Sequence, residues 1–223
     1  DSLFNPSDYL VSPFNSTSKF VGDQYFLTGN QESIKKSILA DMSTGVSAFI
    51  SLTGGPGTGK TLLTYDIVKS VRNSLRTIIV HCGQLNDGHL RLKQLGWNII
   101  SIRDFKNYNF STIDLVVVDE TQRIYANQLD KLITDAASTN THCVFSYDKQ
   151  QTLHSSESRM DVEGKINATG SIKKYKLSEK IRTNKEIANF IKILFNSKRN
   201  NISVSNSENI DFEYFTDSSN VKN

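Results

Sequence analysis

Residues 54–61 read Gly-Gly-Pro-Gly-Thr-Gly-Lys-Thr, with four glycines and a proline in six consecutive positions directly ahead of a helical pattern. Glycine loses the most backbone freedom on folding, and proline removes an amide donor, so such a run is kept only where the backbone must follow a path other residues resist. The apolar stretch VSAFISLT (46–53) precedes it and KTLLTYDIVKSVRN (60–73) follows, giving strand, loop and helix in order. The eight residues fit G-x-x-x-x-G-K-[ST] in the context that pattern requires. They predict a loop of inward-facing amides at a helix N-terminus, a cradle for a triphosphate. Gly55, Pro56, Gly57, Thr58 and Gly59 form the cradle, Lys60 reaches the β and γ phosphates, and Thr61 ligates Mg²⁺, so ATP and Mg²⁺ are the expected cofactors.

A second element completes that chemistry. IDLVVVDE (113–120) is an apolar strand ending in two carboxylates. In open α/β folds, ligands bind outside the carboxyl ends of the strands, so this pair is delivered to the phosphate loop. Asp119 is expected to hold the metal and Glu120 to orient and activate the attacking water. A module that only bound nucleotide would have no use for the second carboxylate.

The remaining segments continue the alternation. TIIVHC (77–82), WNIISI (97–102), THCVFSYD (141–148) and SIKKYKLS (171–178) read as strands. Helical patterns run from Asn30, an expected cap, through Ile34, Ile38, Leu39 and Met42, and over NDGHLRLKQL (86–95), ANQLDKLITDAA (126–137) and NKEIANFIKILFN (184–196). Apolar strands alternating with helices argue for an α/β fold with a mostly parallel sheet flanked by helices, which together with the glycine loop reads as a P-loop NTPase. Residues 1–26 are expected to be an extended entry segment from a missing upstream region. Residues 27–197 are read as the NTPase domain, and 198–223 as a linker and the start of a truncated second domain, with IDFEYF (210–215) its first strand. The formal charge of +3 permits a polyanionic partner without requiring one. No run of 18 apolar residues suggests a membrane span. Cys82 and Cys143 sit at the ends of apolar runs and read as reduced core residues of a cytoplasmic protein.

The motifs resemble those of superfamily 1 helicases. DETQR (119–123) looks like motif II, and CVFSYDKQQTL (143–153) is similar to motif III, with Asp148 and Gln151 in its Asp-x-x-Gln. LSEKIRTNKEIANFI (177–191) is similar to motif IV, and YFLTGNQESI (25–34) to the glutamine motif. Within that superfamily, YLVSPFNSTSKF (9–20), TIIVHC and the SIRDF…DLVVVDETQRI region are similar to the Schlafen-type (group 3) helicase-like domain of bacterial proteins. The resemblance implies that Gln31 reads the adenine, Gln151 senses the γ phosphate, and Arg182 neutralises charge on the transferring phosphoryl group. It also implies that the P-loop NTPase fold is RecA-like, and that single-stranded or duplex nucleic acid is a partner, with a second RecA-like domain and an upstream effector in the same chain.

Two departures stand out. Tyr147 occupies the place before the motif III Asp where glycine is usual, and HCGQLNDGHLRL (81–92) lacks the familiar Pro-Thr pair of motif Ia. His81, His89, His142 and His154 read as packing or surface residues. Either Gln122 and Arg123 link the nucleotide to motif III, or Arg123 forms a structural ion pair. Lys173, Lys174 and Lys176 around Tyr175 suit a phosphate backbone, and equally a guarded sheet edge. The expected function is the ATP-binding and hydrolysing motor domain of a helicase or translocase; against it stand an AAA-like or signalling ATPase switch that does not translocate, and a nucleotide-binding scaffold without turnover.

Overall fold

The computed structural model describes residues 11–148, 162–169 and 172–177, which all lie in the first of two units, Asp1–Ile181. The expected helix at 184–196 and strand at 210–215, with Gln151, His154 and Arg182, lie outside the described residues.

Among the described residues, six strands form one parallel sheet. They are β1 (Phe49–Gly54), β2 (Thr77–His81), β3 (Ile99–Ser101), β4 (Leu115–Asp119), β5 (His142–Tyr147) and β6 (Ile172–Leu177), in the spatial order β3-β2-β4-β5-β1-β6. The interior strands are apolar along their length because both faces are covered. Alternate residues serve different layers. Leu115 and Val117 of β4 join Ile50, Leu52, Ile79 and Val144 on one face, while Val116 and Val118 join Phe49, Ile78, Val80, Cys143 and Phe145 on the other.

The first face is closed by α2 (Gly29–Met42) and α3 (Lys60–Val71), through Ile34, Ile38, Leu63, Ile67 and Val68. The second is closed by α5 (Ala126–Ser138) and α6 (Val162–Asn167), through Leu129, Leu132, Ala136, Val162 and Ile166. Helix α4 (Asp87–Gln94) lies between β2 and β3 in sequence and seats Leu92 in the first cluster. Among the described residues no helix is long and apolar enough to cross a membrane.

Local chemistry moves some expected boundaries. The cap of helix α2 is Thr28, two residues before Asn30, so the helix starts at Gly29. Its hydroxyl accepts from Gln31 N–H at 3.2 Å, and its own N–H donates to Gln31 Oε1 at 2.9 Å. Two otherwise orphaned donors are satisfied reciprocally.

The entry segment is more ordered than an extended tether. It contains α1 (Thr17–Val21) and contributes Val11, Phe20 and Tyr25 to the core. Tyr25 donates its hydroxyl to the buried Asp66 of α3, which also pairs with Lys35 at 2.6 Å. Lys69 ties the same segment down through the Phe20 and Val21 carbonyls and Asp23. At the segment's start, Phe14 stacks on His89 with ring centroids 3.8 Å apart. Its backbone lies so close to Gly88 that a β-carbon there would stand 2.1 Å from the Phe14 carbonyl oxygen.

Candidate active site

The carboxyl ends of β1, β5 and β4 define the site. β5 separates the phosphate-loop strand from the acidic strand, so the end of β5 is also directed at the loop. The loop curls as its composition requires. Gly57 and Gly59 take φ of 75° and 80°, the left-handed region where a β-carbon is strained. Gly54 has no room for a side chain, since a β-carbon would stand 2.6 Å from Thr58 Oγ1 and 3.0 Å from the Leu177 carbonyl oxygen. Thr58 fastens the curl from within by donating its hydroxyl to the Gly55 carbonyl at 2.9 Å.

Lys60, the first residue of α3, folds back over this loop. Its ammonium donates to the Gly54 and Gly55 carbonyls at 2.8 and 2.9 Å and stands 3.7 Å from Asp148 at the end of β5. Burial lowers its pKa, against the pull of Asp148, Glu120 and Asp119. Thr61 follows on α3, with its hydroxyl 3.5 Å from Asp119 Oδ2. Asp119 itself is 1% exposed. Among the described residues no cluster of three or more His, Cys, Asp or Glu forms a self-sufficient metal cage. A hydroxyl beside a carboxylate is a hard, all-oxygen donor set that suits Mg²⁺, an ion that takes few protein ligands and completes its shell with water and phosphate oxygens.

Glu120 follows Asp119 in a left-handed conformation, φ 56° and ψ 39°. For a non-glycine residue this costs on the order of 1–3 kcal/mol and persists where the surroundings dictate it. The turn after it is pinned by Thr121, whose hydroxyl donates to the Val118 carbonyl at 2.9 Å. Burial raises the Glu120 pKa, with the neighbouring Asp119 carboxylate adding to the rise and Arg123, His81 and Lys60 opposing it.

The other expected residues fall as follows. Gln31 is 1% exposed rather than a surface residue; besides closing the α2 cap, it donates Nε2 to the Thr58 carbonyl at 3.2 Å. It therefore touches the phosphate loop directly. Gln122 contacts both Glu120 and Asp148, while Arg123 Nε stands 3.7 Å from Glu120 Oε2. Tyr147 keeps β5 extended and places its hydroxyl 3.0 Å from Ser51 Oγ on β1, a packing role that a glycine would leave vacant. Lys173, Lys174 and Lys176 are exposed on β6. Asp41 takes the Tyr175 hydroxyl at 2.6 Å and stands 3.4 Å from Lys173.

Sequence reasoning gave no role to His81. It pairs in register with Asp119 across β2 and β4, and its Nδ1 lies 3.5 Å from Asp119 Oδ2. The ring of His89 packs 4.5 Å from it, between α4 and the entry segment. Burial and the neighbouring His81 lower the His89 pKa to about 4, against the attraction of Asp119. The fold therefore holds this ring neutral. Its stabilising contribution is complete above pH 6.5 and is lost as pH falls toward 4, a loss of about 3 kcal/mol at most. The variant His89→Gln keeps an N3 capping side chain. In urea unfolding it is expected to lose about 2 kcal/mol less than the parent between pH 7.5 and pH 4.5; equal losses would show that His89 does not carry the titration.

The sequence profile of the Schlafen group 3, DNA/RNA helicase domain family matches residues 47–223. The chain belongs to this family. The Schlafen group 3 domain is also similar in fold to a Pif1 helicase from Candida albicans, at TM-score 0.55 and 21% identity over 77% of this chain and 44% of that one. A structure of two coordinating Pif1 helicases at forked double-stranded DNA matches at TM-score 0.51 and 16% identity, over 77% of this chain and 48% of that one. The Schlafen group 3 domain thus spans under half the length of these helicases. No curated protein sequence matches it.

Proposed function

We propose that this chain is the ATP-binding and hydrolysing half of a DNA or RNA motor, the first RecA-like domain of a superfamily 1 helicase or translocase. The observation that carries this reading is the convergence of Lys60, the Thr61–Asp119 pair and a separate carboxylate, Glu120, at the ends of β1 and β4. A loop that bound nucleotide passively would not need Glu120 strained into the site. Gly55, Pro56, Gly57, Thr58 and Gly59 wrap the phosphates through the curled backbone, and Lys60 leaves its loop carbonyls for the β and γ oxygens. Thr61 and Asp119 hold Mg²⁺, which when bound neutralises charge on the phosphate chain. Glu120 aligns a water oxygen on the γ phosphorus. The new P–O bond forms as the bond to the β–γ bridging oxygen breaks, that electron pair stays with ADP, and Glu120 accepts the water's proton before it passes to phosphate. Its raised pKa suits it to that step.

Gln31 sits against Thr58, which supports a role at the nucleotide's edge. Family resemblance gives Gln151 the role of sensing the γ phosphate and Arg182 that of neutralising it. Nucleic acid, a second RecA-like domain and an upstream effector are the proposed partners, and the cytoplasm the proposed location. One of the matched structures describes DNA unwinding at a fork. Family membership weighs the motor reading above the AAA-like switch. ATP turnover of the full-length protein, measured with and without single-stranded DNA and RNA, tests it. Stimulation by either, weakening as salt rises, is expected. Turnover indifferent to both would overturn it in favour of the switch.

A further inference from the structure

The carboxamide of Gln122 lies between two strand ends. It is 6% exposed. Its Nε2 donates to Glu120 Oε2 at 2.8 Å, and its Oε1 accepts from the Asp148 N–H at 3.2 Å. At these two points one group must give a proton and the other take one, which an amide side chain does and a carboxylate, ammonium or thioether does not. Because the site is buried, neither bond competes freely with bulk water.

The second contact to Glu120, Arg123 Nε at 3.7 Å, falls on the same oxygen. The two together fix which oxygen of that carboxylate faces them and which faces away. The link continues beyond Gln122: the residue whose N–H it accepts, Asp148, places its carboxylate 3.7 Å from Lys60 Nζ, and Lys60 spans the Gly54 and Gly55 carbonyls. One side chain thus joins the acidic strand to the end of β5 and, through it, to the phosphate loop.

We propose that Gln122 is the positioning residue for Glu120, aiming its carboxylate at the attacking water and tying that aim to the end of β5. The inference rests on the reading of Glu120 as the group that activates water. A main-chain shift at Asp148 is then felt at Glu120 through a single hydrogen-bonded amide, without passing through the core.

The test compares Gln122→Met and Gln122→Glu, each alone and combined with Glu120→Gln, in the 223-residue chain. Readouts are single-turnover hydrolysis with protein in excess over ATP and Mg²⁺, the Kd of a fluorescent ATP analogue, and the thermal midpoint. Gln122→Met is expected to slow hydrolysis by about 10- to 100-fold at unchanged Kd, the usual size of an outer-shell effect. Gln122→Glu keeps an acceptor for Asp148 N–H but turns an oxygen on the Glu120 carboxylate, and is expected to lose at least as much. Neither should slow the Glu120→Gln protein further, since residues acting through one group are not additive. Should Gln122→Met fail to fold, Gln122→Asn, which draws the amide back by one carbon, carries the same expectation.

Equal losses in the Glu120→Gln background, a Kd that weakens in step with the rate, or a parental rate in Gln122→Met would each overturn the assignment. If the parent hydrolyses ATP and Glu120→Gln does not, those outcomes sink this inference alone. If the parent has no activity, the proposed function fails and Gln122's role falls with it.

Discussion

Glutamine in place of Glu120 is expected to cut ATP turnover by about 10²- to 10⁴-fold, the range supplied by a positioned general base, with nucleotide affinity kept. Glutamine preserves the side chain's length and still accepts from Gln122 Nε2, so the neighbouring groups have little reason to move. The left-handed backbone at position 120 comes from the turn pinned by Thr121 and not from the carboxylate, so its strain remains in the variant. What disappears is the proton acceptor. Burial and the Asp119 carboxylate raise the Glu120 pKa, so the wild-type residue accepts a proton more readily than an exposed glutamate would. Measured side by side, ATP-analogue Kd and single-turnover rate separate binding from chemistry. A rate within a few-fold of the parent's would remove Glu120 from the reaction.

Methionine in place of Lys60 should damage function severely and the fold hardly at all. The ammonium gives up water on burial but gains two loop carbonyls and the nearby Asp148, and burial is the larger effect on its pKa. Removing the charge therefore removes a cost along with the contacts, and a thermal midpoint within a few degrees of the parent's is expected. Nucleotide affinity should fall by about 10- to 150-fold, the equivalent of one charge-assisted hydrogen bond of roughly 1.5–3 kcal/mol. Turnover should fall further, because charge on the γ oxygens is stabilised by the same group in the transition state. An isothermal titration showing parental affinity for ATP would place the phosphates away from this loop.

The phosphate loop and the acidic strand were legible because each is local. Gly54 to Thr61 is one continuous run, and LVVVDE ends where its two carboxylates are needed, so spacing alone locates the groups. The strands between 46 and 178 also emerged close to their observed bounds, since apolar runs of five or six residues flanked by turns leave little choice. What escaped was non-local. That β5 lies between β1 and β4 is a fact of pairing, and only this order brings Asp148 to Lys60. His81 looks like a core histidine until its register opposite Asp119 is known. Gln122 could be singled out from the DETQR string, but its two bonds run to residues 2 and 26 positions away. The capping box of α2 was written in the sequence as Thr28 and Gln31, and Asn30 competed with it only because asparagine is also a good cap.

The anchored entry segment bears on how this protein can be cut. A fragment designed to begin at residue 27, the expected start of the NTPase domain, would discard Val11, Phe20 and Tyr25 from the interior and leave Trp97, Tyr65 and His89 without the rings that cover them. It would also take away the hydroxyl that Asp66 receives, leaving Lys35 as the partner of that carboxylate among the described residues. A fragment that keeps this core therefore opens ahead of Val11, and sequence attached upstream of that point is joined not to a loose leash but to a peptide wedged two side chains from the acid proposed to carry magnesium.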